Sequence, residues 1–232
     1  MPTLILTIIQ TLINWDIQAF LFINGLHCTY LDNFMMMYSG RFIWIPLYVS
    51  LLIAMLRNFP LRVNIACIVV SVILVTLADQ MSSSLLRPIF CRPRPANIES
   101  PIVALVHVVD GYRGGHYGFP SSHAANCWGA AFFVFYVFRR HVLSRVFAAW
   151  ALIICWSRIY LGVHYVGDIL FGTFLGFICA SIVYFVFQKS MRKTTDTFKP
   201  DLNSPKLYIP SIVCAAETVL MLILAFFVRF SF

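Results

Sequence analysis

Charge is what this chain has least of: 11% of its 232 residues are Asp, Glu, Lys or Arg, and nine are acidic. Soluble domains carry about 25% charged residues. With 60% hydrophobic residues, the chain is excluded from that class and reads as an integral membrane protein. It also lacks a His/Cys cluster with zinc spacing, an internal repeat and a low-complexity tract, which excludes a structural zinc module and a solenoid. No Lys or Arg precedes Arg41, so the first residues have no basic n-region of a signal peptide and nothing that holds them in the cytoplasm. The seven cysteines make no disulfide framework. Cys67, Cys127, Cys155, Cys179 and Cys214 fall in apolar runs, where Cys behaves as a small hydrophobe, and Cys28 and Cys91 fall on the expected outer side.

Long apolar runs are what the chain has instead. A membrane helix needs about 20 mostly apolar residues, which predicts spans at 36–57, 62–86, 121–139, 143–160, 165–188 and 206–229. The expected fold is all-α, a polytopic bundle of six transmembrane helices, with Asp32 as the N-cap of the first span and Pro60 breaking the turn before the second. Residues 1–35 form a separate N-terminal segment, and 36–232 form the membrane domain. Asp16, Trp15, Asn24 and Gly25 interrupt the apolar stretch of that segment. It reads as two helices, 3–14 and 16–24, lying in the outer interface, with a seventh span as the alternative.

The net charge of +8 does not indicate nucleic acid. Arg57 and Arg62 bracket one loop, Arg139, Arg140 and Arg145 another, and Lys189, Arg192, Lys193, Lys199 and Lys206 a third. These loops fall on alternate ends of the apolar runs, so the positive-inside rule places all three in the cytoplasm. The same count puts three other groups of polar residues outside: Arg87 to Pro95, Pro120 to His123, and Ser157 to Asp168.

Those groups contain Arg87-x6-Arg94-Pro95, Pro120-Ser121-Ser122-His123, and Ser157-Arg158-x5-His164-x3-Asp168. The pattern resembles the type 2 phosphatidic acid phosphatase family, related to vanadium-dependent haloperoxidases, in order and in spacing over 87–168. Arg87 stands where that family usually has Lys, and Ser122 where it often has Gly. The resemblance implies a bacterial membrane hydrolase acting on a lipid phosphate or diphosphate, with His164, His123 and Asp168 catalytic and Arg87, Arg94, Ser121, Ser122 and Arg158 binding phosphate.

Read from their own chemistry, the three arginines are permanent cations with planar donor forks suited to phosphate. His164 and Asp168, four apart, share a helix face. A carboxylate there can take the proton of one imidazole nitrogen and leave the other as nucleophile. Pro120 suits a first helical position, so the N–H groups and hydroxyls of Ser121 and Ser122 would face an anion at a helix N-terminus. His123 is then placed to protonate the departing oxygen. The expected reaction has two steps through a phosphohistidine. It needs no metal and no other cofactor, because the arginines neutralise the charge a metal would neutralise.

Other residues carry weaker signals. Asp79, Ser83 and Arg87 are spaced by four, so Asp79 either braces the arginine or lines a wet cavity. Glu217 in the last span points to a hydrogen bond inside the bundle. Arg113, His116 and Tyr117 stand where a headgroup would be read. The expected partners are a phosphorylated lipid and the bilayer, with no nucleic acid. The resemblance to bacterial members of the family implies lipid A or undecaprenyl diphosphate as leading substrates, ahead of phosphatidylglycerophosphate and phosphatidate, and a lipid-binding or transport protein is the rival class. The expected location is the inner membrane, with the site facing outward.

Overall fold

The structure, a computed structural model, describes residues 2–138, 142–195 and 204–228; Arg139, Arg140 and Lys199 lie outside them. The described residues form helices and connecting loops without a strand. In chain order the helices are α1 (Pro2–Asn24), α2 (Thr29–Tyr38), α3 (Ile45–Asn58), α4 (Leu61–Asp79), α5 (Arg87–Phe90), α6 (Ser122–Phe138), α7 (Val142–Tyr160), α8 (Val166–Thr195) and α9 (Ile209–Leu224). Their outer faces expose Val, Ile, Leu and Phe, as on Val72, Leu170, Phe174 and Phe185, which suits lipid tails as solvent. The chain is a polytopic membrane protein: by length and composition five helical stretches of the described residues could cross a bilayer, Leu4–Asn24 among them, or up to six if the bent pair of α2 and α3 is one span, while α6, on a predicted span, is 17 residues long.

Three expectations at the N-terminal side are corrected. The first predicted span is not straight: α2 and α3 meet at 66° across a short break that includes Gly40. Asp32 does not cap it. Asp32 lies in the first turn of α2, after N-cap Cys28, and accepts bonds from the Tyr160 hydroxyl (2.6 Å) and the His107 ring (2.9 Å). Residues 3–24 are one helix rather than two, because Trp15 and Asp16 do not break helical geometry. α1 is 23 residues long, and its run Leu4–Asn24 suits a bilayer crossing by length and composition. Pro60, in contrast, stands at the break between α3 and α4 as expected, and is the N-cap of α4.

α6 lies at the centre, against α4, α7 and α8. Gly172 and Gly176 of α8 make the closest approach possible. A Cβ on either would sit 2.5 Å from a backbone oxygen of α6, Ser121 O for the first and Ala125 O for the second. Small residues four apart let membrane helices pack backbone to backbone. Here they bring the start of α6 against the first turns of α8.

The end of α4 is not regular. Gln80–Leu86 is a π-helical stretch leading directly into α5. Ser82 and Ser83 turn their hydroxyls onto the carbonyls of Ala78 and Asp79 (2.8 and 2.6 Å), where they compete with the backbone ladder. Asp79 acts on Arg87 through its charge without a hydrogen bond between them. Asp79 accepts from the Ser83 hydroxyl at 3.3 Å, while Arg87 donates elsewhere. The seven cysteines are free thiols.

Candidate active site

α7 ends in a Schellman motif that sets two of the expected residues. Val163 N–H bonds Arg158 O (3.2 Å) and Gly162 N–H bonds Ile159 O (3.0 Å), with Gly162 at φ +73, the left-handed position that glycine fills at a helix end. Arg158 therefore lies in the last turn of α7, and His164 two residues past the glycine. α8 then begins with one half of a capping box. Tyr165 N–H donates to Asp168 Oδ2 at 3.0 Å, the backward reach of an acidic residue at the third helical position. That cap fixes Asp168, fully buried, against His164, which is 1% exposed.

The tautomer of His164 follows from its neighbours. Arg94 Nη1 lies 3.2 Å from His164 Nε2, and a guanidinium has donors only, so Nε2 carries the lone pair. The proton then sits on Nδ1, which faces Asp168 Oδ2 at 3.4 Å. Burial, followed by the charges of Arg94, Arg158 and Arg87, holds the His164 imidazole well below its ordinary range. The ring is a neutral base with its free nitrogen turned toward the arginines.

Arg94 is tied into the outer loop. It donates to Val163 O (3.0 Å) and Tyr117 O (3.1 Å), while its N–H meets His116 O (3.2 Å). Burial and the charges of Arg158 and Arg87 push its pKa down to about 10; three cations crowd one space, a condition an anion relieves. Arg158 donates to the hydroxyls of Ser39 and Tyr112. Burial alone would raise the Tyr112 hydroxyl, but the adjacent Arg158 holds it below its usual value. Arg87 donates to Ser122 Oγ (2.7 Å) and Pro120 O (3.4 Å). The Nε–H groups of Arg87 and Arg158 are buried and donate to no protein atom. Such donors call for an acceptor.

The α6 end differs in detail from expectation. Pro120 precedes the helix rather than opening it. Ser121 is the residue before the first helical position, and its Oγ accepts Ala124 N–H at 3.4 Å. Ser121 is fully buried and its own N–H goes to Asp168 O (3.1 Å), so it is not free for an anion. Ser122 and His123, at the first two helical positions, stand at the N-terminus in its place. Among the headgroup candidates, Arg113 donates to Ala96 O (2.7 Å) and His116 pairs with Glu99 (2.8 Å), both uses internal to the loop. Glu217, expected to be hydrogen-bonded inside the bundle, turns its buried carboxylate toward the Leu47 backbone at the start of α3.

Arg92 and Asp16 went unnoticed in the sequence motifs. Arg92 donates to Asp168 Oδ1 (2.8 Å) and Asp16 Oδ2 (2.7 Å). An acid inside an apolar helix, as Asp16 is, was the signal available.

The three groups of residues thus meet at one end of the bundle. The family model of the PAP2 superfamily matches residues 66–192, which contain all of them. The chain belongs to the PAP2 superfamily. Among PAP2 relatives, the lipid A 4'-phosphatase of Bacteroides thetaiotaomicron is 42% identical over 193 residues, 83% of this chain and 86% of the relative. The lipid A 4'-phosphatase of Porphyromonas gingivalis is 32% identical over 170 residues, 73% of this chain and 72% of the relative. The crystal structure of Aquifex aeolicus LpxE shares the fold, with a TM-score of 0.56 and 24% identity over 72% of this chain and 93% of that one.

Proposed function

We propose that this PAP2 protein is a lipid A phosphatase that works through a phosphohistidine at His164. One observation carries the reading: the lone pair of His164 Nε2 faces a cluster of arginines whose buried Nε–H groups, on Arg87 and Arg158, have no protein acceptor. A phosphate monoester offers the missing oxygens and a phosphorus within reach of the nitrogen. The names of the two relatives supply the choice of lipid A over other phosphorylated lipids.

In the first step Arg87, Arg94, Arg158, Ser122 and the start of α6 hold the phosphoryl oxygens, with Ser121 setting that start through its cap. His164 Nε2 attacks phosphorus, and the P–O bond to the lipid breaks. His123, protonated beside the bound phosphate dianion, gives its proton to the leaving oxygen and becomes neutral, and Asp168 holds the Nδ1 proton as the His164 ring becomes cationic. In the second step water attacks the phosphohistidine, His123 takes a proton from it, and inorganic phosphate leaves with His164 neutral again. The arginines supply the charge stabilisation that such a transition state needs.

The charge bias of the basic loops supports a site on the outer side of the inner membrane, where acyl chains would stay in the bilayer while the headgroup enters. The test is phosphate release by the purified protein, with EDTA present, from lipid A, undecaprenyl diphosphate, phosphatidylglycerophosphate and phosphatidate. Lipid A is expected to turn over fastest, with mass spectrometry placing the lost phosphate at the 4' position. Binding of all four lipids without release would make the protein a lipid carrier.

A further inference from the structure

We propose that Arg92 and Asp16 are positioning residues for the His164–Asp168 pair, which makes α1 part of the catalytic apparatus and not only an anchor. The proposal rests on the reading of Asp168 as the carboxylate that orients His164.

Asp168 is fully buried, and both of its oxygens are occupied. Oδ2 takes the Tyr165 N–H and faces His164 Nδ1, and Oδ1 takes Arg92 Nη1. The bond to Oδ1 fixes the plane of the carboxylate, and so the direction in which Oδ2 points. Among the described residues, Arg92 is the one Lys or Arg within salt-bridge distance of Asp168.

Arg92 is itself held on three sides. Its Nη2 meets Asp16 Oδ2 at 2.7 Å, its guanidinium carbon lies 3.9 Å from the centre of the Tyr165 ring, and its carbonyl accepts Gly118 N–H. Asp16 uses its other oxygen to accept Gly167 N–H at 2.8 Å, a helix-start donor next to Asp168. One carboxylate of α1 therefore clamps both the arginine and the turn that carries Asp168. Unlike Arg87 and Arg158, Arg92 spends its charge between two carboxylates.

α1 meets the bundle along a stripe with a spacing of four. Asp16 makes the clamp, Phe20 is fully buried edge-on to Tyr165 (5.4 Å), and Asn24 donates to Tyr160 O (2.7 Å) and His107 O (3.0 Å). The rest of the helix is mostly exposed. Ile9, Leu12, Ile13 and Leu170 wall the cleft beside the ion pair. Apolar walls lower the local dielectric and strengthen it.

The test uses the full-length protein and the lipid phosphate that it hydrolyses, with kcat, KM and vanadate inhibition as readouts. Arg92→Met is expected to lower kcat by about tenfold to a hundredfold while KM and vanadate affinity stay within about twofold. Arg92→Lys, which can reach one carboxylate but not span two, is expected to recover part of the loss. Asp16→Asn should reproduce a smaller kcat defect, and adding it to Arg92→Met should cost nothing more, since the link is already cut. Wild-type kinetics in Arg92→Met overturns the proposal. So does a raised KM with weakened vanadate binding and intact kcat, which would make Arg92 a substrate ligand, and so do fully additive losses. If Arg92→Met does not fold, Arg92→Lys and Asp16→Asn decide by the same readouts. A wild-type protein that releases no phosphate refutes the functional reading, whereas an active wild type with silent variants refutes this proposal alone.

Discussion

Replacing Gly172 by alanine inserts one methyl group between α8 and the start of α6. Its Cβ would lie 2.5 Å from Ser121 O, 3.0 Å from Ala124 Cβ and 3.4 Å from Ala125 N. The first contact has to open to 3.0 Å or more, and its partner is backbone, which cannot rotate aside. Ser121 caps α6 and donates its N–H to Asp168 O, so the shift falls on the turn that holds Ser122 and His123 opposite Asp168. A misplacement near 1 Å costs about a hundredfold in rate, and the smaller forced shift here is expected to cost on the order of tenfold or more. Overpacking adds about 1–3 kcal/mol of destabilisation. Steady-state phosphate release and thermal unfolding measure the two effects. Gly115→Ala is the control, because a Cβ there meets nothing within 4 Å. Gly172→Ala with the kcat and melting temperature of the control would refute the claim that backbone contact between α6 and α8 sets the site.

Three further outcomes are expected. Arg87→Lys keeps much of the activity because the ammonium replaces the charge, whereas Arg87→Ala loses most of it; an inactive lysine variant would mean that the guanidinium fork is needed to bridge Ser122 and phosphate. The His164 ring stays neutral as pH falls through its ordinary value near 6.5, because burial and three arginines disfavour its charged form. Ring-nitrogen NMR should then show a midpoint below that value, rising in Arg94→Ala, and an unshifted midpoint in both proteins contradicts the arginine cluster. In a cysteine-free background, a cysteine at Ile98, which is 84% exposed, reacts with an impermeant maleimide in intact spheroplasts, and one at Arg57 reacts only after lysis; the reverse pattern moves the site to the inner leaflet.

Residues whose roles depend on local spacing were legible in the sequence. Arg158, His164 and Asp168 lie around one helix end and one helix start, and Gly162 between them is the ordinary sign of such a boundary. Arg87 and Arg94 were legible as cations, but not the π-helical stretch that precedes Arg87 or its bond to Ser122, because serine side chains competing for carbonyls leave no periodic trace. The contact of Arg92 with both Asp16 and Asp168 joins positions 76 residues apart in either direction, and spacing says nothing about such pairs. The bend between α2 and α3 did leave a local trace, the polar Ser39-Gly40-Arg41 inside the predicted span, but a hydropathy average over about 20 residues smooths it out, and packing sets the turn, with Trp44 Nε1 donating to Tyr38 O at 3.0 Å.

A covalent phosphoryl enzyme is the central claim, and a rapid acid-free quench of the wild-type protein turning over lipid A labelled with radioactive phosphate tests it most directly. The account predicts alkali-stable, acid-labile label on the peptide containing His164, absent from His164→Ala and retained longer in His123→Ala, where water activation is lost. Turnover that leaves no label on the protein, or label on a residue other than His164, would contradict it.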